Sequence, residues 1–482
     1  MRSIKIALIA ALALALALVV MVALYIAVRG KDLIRVATGS ISHSLCAAAF
    51  ISGLDPDHVY AEEQRPEGGM WLVAWAVRYQ VDRALREVRT TVAGAFAARA
   101  VYREGMGCML VHGDEAVAPS FALRATEGKP GLADVSAAGR PSFAEASETG
   151  SPSVAPQRGA EAGLRRALDL AFSEPDPAHP RRTKAIVVLH EGKLVAERYA
   201  SGYGPDTPIW GHSLSKSVTN ALIGVLVRKG VLRTDQPAPV PSWQTAGDGR
   251  RAITIDQLLR MTSGLPFDET GGPVNPMTRM LFLERDMAAY AERVPLASTP
   301  GLRWGYSNLS YLVLSHLVRD AAGGGAAAER FVRRELFEPL HMRSALIECD
   351  AIGTPIGSGS VFASARDWAR FGQLYLDDGI VDGQRILPEG WVRYSASQTL
   401  DTGYGAGFWT NLVNEGAVPN WDAPWGMPQV PKDMFYARGY LGQFIVIVPS
   451  ERLVVVRLGL THNAPTGVGS AVADIIAALH GK

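Results

Sequence analysis

Two stretches constrain the fold most. "KAIVVLHEGKLVAERYA", beginning at Lys184, and "QFIVIVPSERLVVVRLGL", ending at Leu460, each hold two β-rich apolar runs around a short turn. Each reads as a strand–turn–strand unit, with Gly192 in the first turn. The chain between them is rich in helical patterns. An amphipathic helix, "AEAGLRRALDLAF", precedes the first unit, and "GSAVADIIAALHG" follows the second. Strands at both ends and helices in the middle predict an α+β sheet domain with a helical insertion.

The chain has 482 residues, more than one core usually holds, since single cores seldom outgrow roughly 300 residues. The first part is set off by residues 6–28, an uncharged apolar run, and a bilayer core needs about 20 such residues. It runs straight into "RGKDLIR" without a small-residue cleavage signal, so an uncleaved transmembrane anchor is expected over 1–30. Residues 31–115 form an N-terminal extension in which "MWLVAWAVRYQVDRALREV" looks helical and "RAVYREGMGCMLV" looks like strands around a glycine turn. Residues 116–159 are rich in Ala, Ser, Gly and Pro and read as a linker or long loop. The main domain is expected over 160–482.

Cys46 and Cys108 flank the extension and either form a bridge, which needs an oxidising compartment, or remain two buried thiols. Arg2 and Lys5 before the apolar run are matched by Arg29, Lys31 and Arg35 after it, so the local positive charge does not favour export. Net charge is +1 with scattered basic residues, which gives no reason to expect nucleic acid as a partner. No zinc-ligand spacing and no phosphate-binding glycine loop is present, so neither a metal nor a cofactor is expected.

Chemistry enters at "WGHSLSKSVTNALIGVLVRKG", which sets Ser213, Ser215 and Ser217 around Lys216 at the start of an apolar helix. Residues three apart share a helix face, so Ser213 can meet Lys216 while the other two serines diverge. A serine nucleophile needs a base, and a lysine desolvated by apolar neighbours can serve. Serines are also common helix caps, and S-x-x-K alone decides nothing. Two later signals follow in order. "PGLRWGYSNLSYLVLSHLV" holds Tyr306 and Asn308 at a helix start, and "FYARGYLGQ" puts Gly439 on a strand against which a substrate could lie.

Taken together, Ser213-x-x-Lys216, Tyr306-x-Asn308 and the glycine-bearing strand resemble the serine β-lactamase and penicillin-recognising family, in its class C-like branch. "ITIDQLLRMTSGLP" and "GSGSVFASARDWARFGQLYLDDG" carry the same resemblance, over roughly two-thirds of the chain. That family implies an α/β sandwich with an antiparallel sheet and a helical subdomain. It implies Ser213 as acylated nucleophile, Lys216 as its proton acceptor and Tyr306 as the proton shuttle to the leaving group. Asn308 would orient Lys216 or substrate, and the N–H groups of Ser213 and Tyr440 would hold the oxyanion.

The third motif departs from the family. Ala437 stands where β-lactamases carry lysine, and Arg438 replaces it only if its side chain turns into the site. The form "ARGYLGQ" looks more like 6-aminohexanoate-dimer hydrolases and β-lactamase-like esterases. The implied activity is cleavage of a small amide or ester through an acyl-enzyme, with Asn308, Arg438, Gly439 and Tyr440 toward substrate. The alternatives are a penicillin-binding DD-peptidase or β-lactamase, and a non-catalytic envelope scaffold. The expected location is membrane-anchored, with the domain outside the cytoplasm. Trp409, Trp421 and Trp425 are candidates for an acyl pocket or for core packing.

Overall fold

The computed structural model describes residues 30–113, 153–154, 160–267, 269, 272–412, 426–462 and 464–481. The apolar run at 6–28, Trp421 and Trp425 lie outside them. One helix among the described residues, Gly30–Ser52, is long and apolar enough to cross a membrane by length and composition. Much of it is packed against protein. Ile41 and Leu45 are fully buried, and two buried hydroxyls bond to the rest of the protein, Ser42 Oγ donating to Ala98 O (3.1 Å) and Ser44 Oγ to Glu63 Oε1 (2.8 Å). Such bonds are what buried hydroxyls on a helix packed against protein need.

Beside this helix lie β1 (Val77–Asp82), β2 (Glu87–Val92), β3 (Ala95–Arg103) and β4 (Gly107–Val111), an antiparallel sheet in that order. The expected helix across 70–88 is therefore wrong. Met70–Leu72 and Ala74–Ala76 are short 3-10 turns, and β1 and β2 form a hairpin. Val77, Tyr79 and Val81 alternate with Arg78, Gln80 and Asp82, a period of two that the helical reading overlooked. Asp82 Oδ1 accepts from the N–H groups of Ala84 and Leu85 and fixes the turn. Cys46 and Cys108 are disulfide-bonded, tying the helix to β4.

Next come β5 (Ser153–Val154), β6 (Thr183–His190) and β7 (Lys193–Tyr199). A small sheet follows, with β8 (Ile209–Trp210), β9 (Leu346–Ile347) and β10 (Val361–Ala363) in the order β8-β10-β9. β11 (Ile380–Val381) and β12 (Gln384–Arg385) make a hairpin. The last four are β13 (Trp409–Thr410), β14 (Phe435–Gly439), β15 (Gln443–Val448) and β16 (Leu453–Gly459). The main sheet has the order β13-β14-β15-β16-β6-β7-β5, antiparallel throughout. The two strand pairs read from the sequence are neighbours at its centre, with Val456 opposite Val187.

Every residue of β15 and β16 is buried, so both faces of the sheet are covered. The Ala365–Leu376 helix lies on one face with Gly372 seated against Val454 and Ile445, where a Cβ would come within 2.6 Å of Val454 Cγ1. Helices Glu161–Ala171 and Val468–Leu479 pack on each other, Gly163 against Ala478. The Leu214–Arg228 and Asn308–Ala322 helices pack together in the helical part and carry the candidate site.

Candidate active site

Ser213 is the N-cap of the Leu214–Arg228 helix, yet its side chain caps nothing. Its hydroxyl instead lies 3.0 Å from Lys216 Nζ. The neighbouring serines have structural work. Ser215 Oγ donates to His212 O (2.6 Å) and accepts from Val361 N (2.9 Å), while Ser217 Oγ donates to Gly407 O (2.6 Å). Helical spacing explains the split. Ser213 is half-buried and reachable, whereas Lys216 is only 2% exposed.

The Lys216 amine lies among oxygens from several segments. Besides Ser213 Oγ it faces Asn308 Oδ1 at 2.7 Å and Ser358 O at 2.6 Å. The Tyr306 ring centroid lies 4.8 Å from the same nitrogen. Asn308 opens its helix, and its other amide atom, Nδ2, donates to Glu269 Oε1 (2.8 Å). That carboxylate can only accept, so it fixes which end of the amide meets the lysine. Ser358 reaches the site because Gly357 fits between two helices, where a Cβ would lie 2.2 Å from Thr219 Oγ1 and 2.4 Å from Ser315 Oγ. Tyr306 is buried and stacks on Trp409 (5.9 Å, 14°), which also packs against Tyr404 and Trp304. Trp409 is thus both core and site wall.

β14 ends against the start of the nucleophile's helix. A Cβ on Gly439 would lie 2.2 Å from Gly211 O, so only glycine permits this approach. Strand alternation turns Arg438 to the face opposite Ala437 and Gly439, and its guanidinium lies 6.0 Å from the ring of Phe444, its cross-strand partner. Tyr440 is 56% exposed, and its ring meets His212 edge-on at 5.7 Å. His212 itself takes φ +48° just before Ser213 and stacks on Trp210 at 4.2 Å. Burial, helped by nearby His43, His462 and Lys216, pushes the His212 imidazole down to about 3 and so favours its neutral form. It shapes the turn.

The structure thus brings Ser213, Lys216, Asn308 and Tyr306 together, sets Gly439 beside them and turns Arg438 away. Sequence reasoning missed Glu269, the Ser358 carbonyl and Glu67, whose carboxylate accepts from Tyr440 Oη at 2.9 and 3.1 Å. The glycines flanking Ser358 were the legible sign of a close backbone approach. Nothing local marked Glu67, which arrives from the N-terminal module.

The family profile described as Beta-lactamase matches residues 169–479. The chain belongs to the Beta-lactamase family of serine hydrolases. It is 27% identical over 226 residues to 6-aminohexanoate-dimer hydrolase of Paenarthrobacter ureafaciens, a match spanning 44% of this chain and 56% of that enzyme. It is 26% identical over 314 residues to penicillin-binding protein 4 of Amycolatopsis lactamdurans, spanning 56% and 75%. The crystal structure of a family VIII carboxylesterase shares the fold, with TM-score 0.50 and 16% identity over 67% of this chain and 97% of that one.

Proposed function

We propose that this Beta-lactamase family member cleaves a small amide or ester through an acyl-enzyme on Ser213, with Lys216 as proton acceptor and Tyr306 as shuttle. The observation that carries the reading is the 3.0 Å approach of the buried Lys216 Nζ to Ser213 Oγ. A neutral amine has two N–H bonds and one lone pair. In that form Lys216 can donate to Asn308 Oδ1 and Ser358 O, both pure acceptors, and its lone pair can take the proton of the Ser213 hydroxyl 3.0 Å away.

In the first half-reaction Ser213 Oγ bonds to the substrate carbonyl carbon as its proton moves to Lys216. The tetrahedral oxyanion is held by the backbone N–H groups of Ser213 and Tyr440, each such donor contributing about 3 kcal/mol. Tyr306, over the lysine, relays the proton to the departing amine or alcohol. Water then reverses the sequence and frees the acid.

The resemblance to 6-aminohexanoate-dimer hydrolase, together with Ala437 in the third motif, supports a small amide or ester as substrate. The apolar run at 6–28 and the Cys46–Cys108 bridge support a membrane-anchored protein whose domain faces an oxidising compartment. Hydrolysis of p-nitrophenyl esters and short amides by the wild type, abolished in Ser213→Ala, is the expected result. Undiminished turnover in that variant contradicts the assignment. The resemblance to a penicillin-binding protein favours a second reading, cell-wall peptidase. It predicts stable acylation by a fluorescent penicillin, and a clean negative removes it.

A further inference from the structure

The N-terminal module, which lies outside residues 169–479 matched by the family, reaches the candidate site. Two contacts converge on its edge. The His43 ring packs edge-on against Trp210 at 5.0 Å, and Trp210 stacks on His212, next to Ser213. On the other side the Tyr440 hydroxyl donates its one hydrogen to the Glu67 carboxylate, whose oxygens lie 2.9 and 3.1 Å away. Tyr440 follows the glycine that abuts Gly211 O, so its exposed ring forms part of the mouth beside the nucleophile. The Glu67 carboxylate stands one tyrosine ring away from that turn and keeps 30% of its side chain in solvent.

The charge on Glu67 is not cancelled locally. Its nearest basic group among the described residues is His462, with Nδ1 3.8 Å away, and burial holds that imidazole below its ordinary range, hence neutral at pH 8. Across the mouth, Glu269 holds Asn308 and adds charge of the same sign. Ala437 brings no charge to the face it shares with Gly439, and Lys216 is only 2% exposed. Electrostatics at the mouth therefore disfavours an approaching anion and favours a cation.

We propose that Glu67, supplied by the N-terminal module, is a specificity-determining residue that selects substrates carrying an ammonium group near the scissile bond over those carrying a carboxylate. The inference rests on the acyl-transfer reading of Ser213. It is tested with three p-nitrophenyl esters whose acyl chains match in length and end in methyl, trimethylammonium or carboxylate, assayed at pH 8 with the full-length protein. The wild type should turn over the cationic ester with higher kcat/KM than the anionic one. Glu67→Gln, which keeps the shape and a hydrogen-bond acceptor, should lower that ratio about ten-fold, as expected for a unit charge at the edge of water. Glu67→Asp should restore most of the ratio, and Tyr440→Phe, which leaves the carboxylate in place, should keep the preference. A merely structural role would change all three esters together. An unchanged ratio in Glu67→Gln overturns this inference alone. Failure of the wild type to hydrolyse any of the three overturns the acyl-transfer reading and this inference with it.

Discussion

The two parts of the chain solve the problem of burying polar groups differently. In the hydrolase domain buried polar groups converge on the candidate site, with the Ser213 hydroxyl, Asn308 Oδ1 and the Ser358 carbonyl around the Lys216 amine. In the N-terminal module they hold a small body together and clip it to its neighbour. His43 Nε2 meets Glu348 at 2.7 Å, Cys108 N–H donates to the same carboxylate at 2.8 Å, and Lys184 Nζ meets Glu62 at 2.5 Å. The domain has a large continuous core and needs no cross-link. The module has a small one and carries a disulfide, as expected where apolar burial is scarce. The proposed chemistry resides in the large body, and the small one touches its edge through Glu67 and His43.

The largest expected effect falls on the domain alone. Lys216→Ala should lower kcat by about 10³-fold or more while KM changes little, because a proton acceptor acts in the transition state. Circular dichroism and melting of the variant would separate this from misfolding. A comparable loss in KM alone would mean that Lys216 binds substrate.

Breaking the bridge should do the reverse. Cys46→Ser with Cys108→Ser should destabilise the module by about 2–5 kcal/mol, with earlier loss of hydrogen-exchange protection in β1–β4 than in β15 and β16. Protection lost equally in both sheets would show that the two bodies unfold as one.

The smallest effect concerns Glu67. Burial, with the like charge of Glu63, raises its carboxyl to about 7 despite the opposing Tyr440 hydrogen bond. The folded state thus holds a proton that the unfolded state releases nearer 4.5. Between those values the native state binds more protons, so stability should fall as pH rises from about 5 to 8. Because the side chain is partly in water, the loss should be below about 2 kcal/mol. Denaturant melts of wild type and Glu67→Gln at both pH values check it, since the variant should lack this component. His462, Glu63 and Tyr440 face the same carboxylate, so a persisting slope in Glu67→Gln would assign the titration to one of them.

The same contrast explains what could be read in advance. The sheet domain was legible because β15 and β16 announce themselves as apolar runs, and because Ser213 and Lys216 are three residues apart on one helix. Arg438 was legible in part, since alternation gave its face but not its partner Phe444. The module was less legible. Its hairpin carries a two-residue period diluted by Arg, Gln and Thr, and the adjoining "MWLVAWAV" mimics a helical face. The Gly30–Ser52 helix was hidden beside a stronger apolar run. Glu67 and Glu269 could not be found at all, because each gains meaning only from a partner hundreds or tens of residues away.

The most direct test of the acyl-transfer account is peptide mapping by mass spectrometry after treatment with a fluorophosphonate. The account predicts a single phosphonyl adduct on Ser213, lost in Ser213→Ala and strongly slowed in Lys216→Ala. An adduct on Ser215, Ser217 or another residue, or none at all, would contradict it.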